Sequence, residues 1–246
     1  MFTGLVETIG ILRQRAGSPV ARAFIEASLG PLELGESISV NGVCLTVDRI
    51  RPTGFECDMS SETLDRTTLG ALAVGARVHL ERAMKLGGRM GGHMVLGHVD
   101  GIGRVSERAP SGDATRLVVE ADGGLASYLA DKGSVAIDGV SLTINRVTDR
   151  AEGRSSRVLF EVMLVPHTLG RTNLGDLRPG QAVNLEVDVL ARYVARQLSI
   201  ASNVRATSSS EEAPGWGGEV RENDEHHHDE SRDERLLAKL RSGGFL

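Results

Sequence analysis

The chain reads SISVNGVCLTV at residues 37–47 and SVAIDGVSLTI at residues 134–144. Both stretches alternate apolar and polar residues around an Asn-Gly or Asp-Gly pair, which is the strongest short-range signal for a β-hairpin. The copies share a glycine, a leucine and a threonine in the same register, but Cys44 of the first is matched by Ser141 in the second. A hairpin that occurs twice predicts a duplicated β domain.

Two further blocks of sequence recur in the same order. The first reads MFTGLVETIG at residues 1–10 and matches MVLGHVDGIG at residues 94–103. The second reads ETLDRTTLGALAVGARVHLE at residues 62–81 and matches HTLGRTNLGDLRPGQAVNLE at residues 167–186. The offset between the copies grows along the chain, because the second copy has longer loops. The sequence therefore predicts two like domains in tandem.

Each copy has the pattern of a small all-β unit. Short alternating segments follow turns at Gly75 and at Pro179-Gly180, and the segments TRLVVEA and RVLFEVML are rich in residues that favour strands. Many short strands in so small a unit favour a closed barrel or a sandwich.

The chain divides into four predicted regions. Residues 1–90 and 91–188 hold the two β domains. Residues 189–202 begin with VLARYVARQLSI, whose apolar residues recur with helical spacing, and we expect a helix able to pack against a neighbouring subunit. Residues 203–246 are charged, rich in Gly and Ser and nearly free of aliphatic residues, so we expect disorder. The run His226–His228 in this tail is a weak, generic ligand and predicts no specific metal site.

Composition and charge exclude several classes of protein. The content of 40% hydrophobic and 25% charged residues is typical of a soluble globular protein. A formal net charge of -5 and a pI near 5.8 give no basic face for nucleic acid. No apolar run approaches the roughly 18 residues of a membrane span, and the start lacks a secretory signal. Cys44 and Cys57 lie in unrelated contexts, and we expect reduced thiols in a cytoplasmic protein.

The repeated motifs together resemble one known family. In order along the chain they are MFTGLVE, NGVCLTV, ETLDRTTLG, the junction GGHMVLGH, DGVSLTI and HTLGRTNLG. This set is similar to riboflavin synthase of the alpha-chain type, over residues 1–196. Each motif alone is short, but their order and duplication make the resemblance specific. The tail from residue 203 lies outside it.

The resemblance implies a fold, an assembly and a reaction. The fold is all-β, with two similar six-stranded antiparallel Greek-key barrels that bind lumazine, followed by a helix that holds a homotrimer together. The reaction is the dismutation of two 6,7-dimethyl-8-ribityllumazine molecules to riboflavin and 5-amino-6-ribitylaminouracil, with no metal and no cofactor. It takes place between the N-terminal barrel of one subunit and the C-terminal barrel of the next. Association with lumazine synthase stays open.

This reaction explains why a binding domain is duplicated and why the copies differ. Two identical molecules need two similar pockets, but one donates four carbons and the other accepts them. The differing pairs are Cys44 and Ser141, Gly35 and Lys132, and Ala83 and Asp188. Carried over by position, the catalytic residues are Phe2, Cys44, His98, Ser141 and Asp188. The substrate-binding residues are Gly4, Ser37, Thr46, His93, Gly97, Lys132, Thr143 and Val165.

An ordinary structural role is the alternative for several of these residues. Strand serines and threonines usually bond across strands, and a free cysteine such as Cys44 is often a small buried hydrophobe. Cys44 is interpreted here as a polar contact or thiolate against the reacting carbon. His98 is the preferred base for the 7-methyl proton, because imidazole titrates near neutral pH. His93 is expected to position its neighbour.

Three further residues have roles that only the resemblance suggests. Lys132 would stabilise charge on the pyrimidine, Asp188 would hold a ribityl hydroxyl or an amine, and Phe2 would exclude water from the carbanion. The alternative for Lys132 and Asp188 is that they are ordinary solvated charges on the surface. The alternative for Phe2 is that it is an ordinary core residue.

A non-catalytic lumazine- or flavin-binding protein, of the antenna or storage type, is the alternative function. Such a protein would use the same two barrels without turnover.

Overall fold

The strands of the two β domains follow the duplication. In the computed structural model, which describes residues 1–152 and 155–208, the first domain contains β1 (Thr8–Ala16), β2 (Ala21–Glu26), β3 (Ser37–Val40), β4 (Val43–Thr46), β5 (Arg49–Arg51), β6 (Gly54–Met59) and β7 (Arg77–Arg82). The second contains β8 (Gly101–Ser111), β9 (Ala114–Asp122), β10 (Ser134–Ile137), β11 (Val140–Glu152), β12 (Ser155–Leu164) and β13 (Ala182–Val187). The helices are α1 (Ser61–Arg66), α2 (Pro166–Arg171) and α3 (Val189–Ser208).

The second domain is a closed antiparallel barrel. Its strand order is β10-β11-β12-β9-β8-β13, and β13 closes it by pairing with both β8 and β10. Strands β10, β11 and β12 follow one another as hairpins, while β9 lies beside β12. The chain therefore crosses the barrel between β9 and β10, which is a Greek-key connection.

The first domain repeats this order with one strand interrupted. Its order is β4-β3-β7-β1-β2-β6-β5, so β4 and β5 together occupy the place of β11. The interruption falls at Val47 and Asp48, whose N–H groups donate to the Glu36 and Glu56 carbonyls. Two six-stranded Greek-key barrels followed by a helix were predicted, and the fold confirms them.

Each barrel is filled by its own apolar core. The large side chains that are fully buried in the first barrel include Ile25, Ile38, Phe55 and Leu80. Those in the second include Leu117, Ile137, Ile144, Phe160 and Leu185. Removal of this apolar surface from water is the main force that holds each barrel closed.

The two hairpin turns that identify the duplication meet between the barrels. Asn41 and Gly42 have φ of 47° and 80°, and Asp138 and Gly139 have φ of 45° and 78°, as a type I′ turn requires. A Cβ on Gly42 would lie 2.7 Å from the backbone nitrogen of Gly139, and the converse distance is also 2.7 Å. Glycine is therefore needed for the barrels to approach this closely.

His79 and Asn184, which occupy matching positions, each bridge from one barrel to the other. The Nδ1–H of His79 donates to the Asp138 carbonyl at 2.9 Å, and its Nε2 accepts from the Asn173 N–H at 3.0 Å. The Asn184 side chain donates to the Asn41 carbonyl at 2.8 Å and accepts from the neighbouring barrel as well. Because Nε2 is an acceptor here, His79 must be neutral, and burial lowers its pKa to about 4.

Asp138 is buried beside this bridge and its charge should make stability depend on pH. Its Oδ1 accepts from the Asn184 N–H at 2.8 Å, and burial raises its pKa from 3.8 to about 7. Between these two pKa values, Asp138 keeps its proton in the folded chain but has lost it in the unfolded chain. The free energy of unfolding therefore falls as the pH rises from 3.8 to about 7.

Replacing Asp138 by asparagine should remove this loss of stability at high pH. We expect the free energy of unfolding at pH 8 to rise by up to about 4 kcal/mol, and the gain to vanish towards pH 4. Asn41 already fills the matching place, where its Oδ1 accepts from the His79 N–H at 2.7 Å. Denaturant unfolding at several pH values measures the change, and Asn41→Asp is the control expected to lose stability with rising pH. A gain for Asp138→Asn that is the same at every pH would contradict this account.

Helix α3 follows the second barrel and carries exposed apolar side chains. It begins at Val189 and continues to Ser208. Leu190, Tyr193, Val194 and Leu198 are between 58% and 66% exposed. Within the described ranges, no helix is both long and apolar enough to cross a membrane. The predicted disorder of the tail concerns mainly residues 209–246, which lie outside those ranges.

Candidate functional site

The opening segments of the two barrels pair with each other. These segments, residues 1–5 and 94–98, precede β1 and β8 at matching positions. The Phe2 N–H donates to the Val95 carbonyl at 2.6 Å, and the Val95 N–H donates to the Phe2 carbonyl at 3.1 Å. The buried Phe2 side chain packs with Val95 and Ala136, and Cys44 lies against the same cluster. Phe2 thus lies in a small core between the barrels, next to a predicted site residue.

Each opening segment also contacts the hairpin of the opposite barrel. The Gly97 carbonyl, from the start of the second barrel, accepts from the Cys44 N–H of the first at 2.9 Å. The Gly4 carbonyl, from the start of the chain, accepts from the Ser141 N–H at 2.8 Å. Both glycines have a left-handed φ, 79° and 77°. Each site therefore contains residues of both barrels.

The first barrel carries two neighbouring cavities at its hairpin. One, of about 670 Å³, is lined in part by Cys44, Thr46 and Thr63. The other, of about 450 Å³, shares Cys44 and Thr63 and extends to Gly97 and His98. His98 is exposed, so a ligand in this cavity can reach both its imidazole and the half-buried Cys44 thiol. We refer to these cavities together as the first pocket.

At the matching place in the second barrel, buried His93 contacts half-buried Ser141; by analogy with the first barrel, we call the surroundings of this pair the second pocket. His93 Nδ1 lies 2.7 Å from Ser141 Oγ, while His93 Nε2 is buried and has no hydrogen-bond partner among the described residues. Gly92 fits closely here, since a Cβ on it would lie 2.9 Å from Ser141 Oγ. The pair is therefore fixed in place, and the second ring nitrogen of His93 is enclosed by the protein.

The electrostatics of the second pocket favour a neutral imidazole. Burial lowers the pKa of His93, and the negative charge of Asp188 partly opposes this. Asp188 also caps the N-terminus of α3, because its Oδ1 accepts from the Leu190 N–H at 2.9 Å. A neutral imidazole can accept a proton near pH 7, which is what a general base requires.

The remaining predicted residues lie at the rims of the barrels. Ser37 pairs with Thr46, and Thr143 occupies the matching place opposite Ser134. Both threonines are exposed. Lys132 is exposed and has a left-handed φ of 68°. Val165 is also exposed, just before α2.

The structure thus sorts the predicted residues into two groups. Cys44, Thr46, Gly97 and His98 meet in the first pocket. Gly4, His93 and Ser141 meet in the second, with Asp188 near enough for its charge to affect the imidazole. The two histidines of GGHMVLGH therefore lie in different pockets, although they are close in sequence.

Comparison with known proteins identifies the family. The sequence matches the lumazine binding domain twice, at residues 3–83 and 96–188. Riboflavin synthase of Mycobacterium tuberculosis is 44% identical over 205 residues, which are 82% of this chain and 100% of that protein. Riboflavin synthase of Photobacterium leiognathi is 39% identical over 204 residues, which are 81% of this chain and 90% of that protein. The chain belongs to the riboflavin synthase family.

Solved structures of LumP share the riboflavin synthase fold of this chain. LumP complexed with 6,7-dimethyl-8-(1'-D-ribityl) lumazine has a TM-score of 0.64 and 25% identity, and covers 76% of this chain and 99% of LumP. LumP complexed with riboflavin has a TM-score of 0.66 and 26% identity over the same shares of the two chains.

Sequence reasoning missed several residues of this candidate site. Ser60 caps α1 by accepting from the Thr63 N–H at 3.1 Å, and both line the first pocket. Glu81 and Glu186 bind the opening segments. The two glutamates recur at matching places in the repeated blocks, which was the available signal.

The described part of the chain contains no group of three or more His, Cys, Asp or Glu residues arranged to hold a metal ion. The run His226–His228 lies outside that part.

Proposed function

We propose that this chain is a riboflavin synthase, a transferase that acts on two molecules of 6,7-dimethyl-8-ribityllumazine. One molecule gives up a four-carbon unit and becomes 5-amino-6-ribitylaminouracil, and the other accepts the unit and becomes riboflavin. The observation that carries the proposal is a pair of matching sites, one in each barrel, with different polar groups. The first offers Cys44 and His98, whereas the second offers Ser141 and His93.

Two pockets of this kind suit a reaction between identical molecules in different roles. We propose that the first pocket faces the second pocket of an adjacent subunit in a homotrimer. The support is α3, which follows directly after Asp188 and exposes Leu190, Tyr193, Val194 and Leu198. A row of large exposed apolar side chains is usually covered by a partner.

His93 is our candidate for the base that removes the 7-methyl proton. Its imidazole is neutral near pH 7 because burial lowers its pKa. If Nδ1–H donates to Ser141 Oγ, then Nε2 carries the free lone pair. If Ser141 donates instead, the imidazole activates the serine oxygen as the proton acceptor. Because Nε2 is buried, the second arrangement carries the proposal: Ser141 Oγ takes one proton from carbon as it passes its own proton to Nδ1, and the resulting carbanion attacks the second molecule.

The first pocket would hold the partner molecule. We propose that the Cys44 thiol contacts its reacting carbon and that the exposed imidazole of His98 exchanges protons with it. Phe2, packed behind Cys44, would keep water away from this wall of the pocket.

The rim residues would bind the parts of the substrate that do not react. Ser37, Thr46, Thr143 and Val165 would line the ribityl chain and the ring edge. Lys132 would balance negative charge on the pyrimidine and Asp188 would accept from a ribityl hydroxyl. A cytoplasmic location and association with lumazine synthase stay predictions.

The test uses the purified, untagged full-length chain and the lumazine alone, without metal or nucleotide. We expect one riboflavin for every two lumazine molecules consumed, followed by absorbance. Tight binding of lumazine without turnover would overturn the proposal in favour of a binding protein of the antenna or storage type.

A further inference from the structure

Two buried glutamates, Glu81 and Glu186, hold the opening segments in place. They lie at matching positions on β7 and β13, and are 5% and 3% exposed. A buried carboxylate is costly unless donors satisfy it. The donors here are backbone N–H groups of the opening segments, so the two features depend on each other.

Glu81 connects the first barrel to the second pocket. Its Oε1 accepts from the Thr3 N–H at 2.6 Å and from the Thr3 hydroxyl at 2.7 Å, and its Oε2 accepts from the Gly4 N–H at 2.9 Å. The Gly4 carbonyl in turn accepts from the Ser141 N–H at 2.8 Å. A carboxylate in one barrel thus fixes the segment that contacts Ser141 in the other.

Glu186 makes the reciprocal connection. Its Oε1 accepts from the Leu96 N–H at 2.7 Å, and its Oε2 accepts from the Gly97 N–H at 2.9 Å. The Gly97 carbonyl then accepts from the Cys44 N–H at 2.9 Å. The wall of the first pocket is therefore fixed from the second barrel.

We infer that Glu81 and Glu186 are positioning residues, each of which sets the geometry of the pocket in the opposite barrel. The connection between barrels follows from the hydrogen bonds alone, while its effect on turnover rests on the proposed function. Each barrel thus positions part of the pocket in the other barrel. As a result, the two pockets keep matching geometry although their residues differ.

The charge of each carboxylate is essential to this role. Both oxygens accept from N–H groups, which only a carboxylate can do. A glutamine at position 186 would keep one acceptor but turn its NH₂ group towards the other N–H, so two donors would face each other. The opening segment would then move away from Cys44 without loss of volume in the barrel.

The reactivity of the Cys44 thiol reports this movement directly. Cys44 is half-buried against Val95. Cys57 is fully buried, and burial raises its pKa to about 12, so the Cys57 thiol should not react with the reagent. In the full chain, we expect Glu186→Gln to speed labelling of Cys44 by an aromatic disulfide about tenfold. Glu81→Gln should change that rate less, because Glu81 is connected to the Cys44 cluster only through Phe2, the neighbour of Thr3.

Glu56→Gln is the matched control. Glu56 is also 5% exposed in the first barrel, but it pairs with Arg49 and Arg51 and does not contact an opening segment. It should leave the labelling rate of Cys44 unchanged. If all three glutamine variants label equally fast, Glu186 contributes only to stability and the inference is wrong.

The converse measurement tests Glu81. Because Gly4 contacts Ser141, which bonds to His93, Glu81→Gln should shift the imidazole NMR signals of His93, and Glu186→Gln should not. If Glu81→Gln accelerates Cys44 labelling and Glu186→Gln does not, each carboxylate serves its own barrel and the inference fails. If a glutamine variant does not fold, the aspartate variant at the same position replaces it. Aspartate keeps the charge but its shorter side chain holds the carboxylate farther from the N–H groups, so we expect the same results. Neither readout requires riboflavin formation, so failure here is distinct from failure of the proposed function.

Discussion

Replacing His93 by glutamine is expected to lower kcat for riboflavin formation by about 10²-fold or more, with a much smaller change in KM. Glutamine can still bond to Ser141 Oγ, which lies 2.7 Å from the imidazole Nδ1. It cannot accept a proton, however. A loss confined to kcat would therefore identify the missing step as proton transfer and not as binding.

The pH profile of the same variant gives an independent readout. Burial lowers the pKa of His93, so the imidazole becomes protonated and inactive as a base only below its ordinary value of 6.5. The kcat of the unchanged enzyme should thus fall on the acid side, through a pKa below 6.5. His93→Gln should show no such fall.

His98→Gln is the control for position within the motif GGHMVLGH. His98 is exposed in the first pocket and bonds to neither Ser141 nor His93 in the described part of the chain. We expect a smaller loss and an unchanged acid limb. A larger loss for His98→Gln than for His93→Gln would return the role of base to His98, as the sequence alone suggests.

The sequence predicts the barrels well because their signals are local. Asn41-Gly42 and Asp138-Gly139 require a left-handed backbone, and that requirement can be read from two residues. The alternation of apolar residues on either side then indicates which face of each strand is buried. Duplication doubles each signal, so two like β domains are predictable from local signals, whereas the closed six-stranded Greek-key barrel was implied only by the resemblance to riboflavin synthase.

The division of the site between barrels is not predictable in the same way. Nothing in MFTGLVETIG indicates that Gly4 bonds to Ser141 of the second barrel, because the partner of a single backbone carbonyl depends on tertiary packing. The same holds for His79, whose alignment with Asn184 is visible but whose bond to Asp138 is not. Likewise, His93 and His98 are neighbours in sequence, and only the path of the opening segment separates them into two pockets.

Gly97→Ala is expected to lower activity by about 10²-fold, because it displaces the wall of the first pocket. A misplacement of about 1 Å near reacting groups can cost that much. The new Cβ would lie 2.6 Å from Cys44 Cβ and 2.7 Å from the Cys44 nitrogen, so the segment must move and the bond between the Gly97 carbonyl and the Cys44 N–H must lengthen. Steady-state kinetics and the labelling rate of Cys44 measure the two consequences.

Gly87→Ala separates this contact from backbone strain. Gly87 has a φ of 80°, close to the 79° of Gly97, but a Cβ there would meet nothing within 4 Å. Alanine should cost about 1–2 kcal/mol of conformational strain at both positions, so only the contact with Cys44 differs. We expect Gly87→Ala to lose some stability and keep its activity. Equal losses of activity in the two variants would mean that strain alone acts and that the approach of the opening segment to Cys44 has no role in the site.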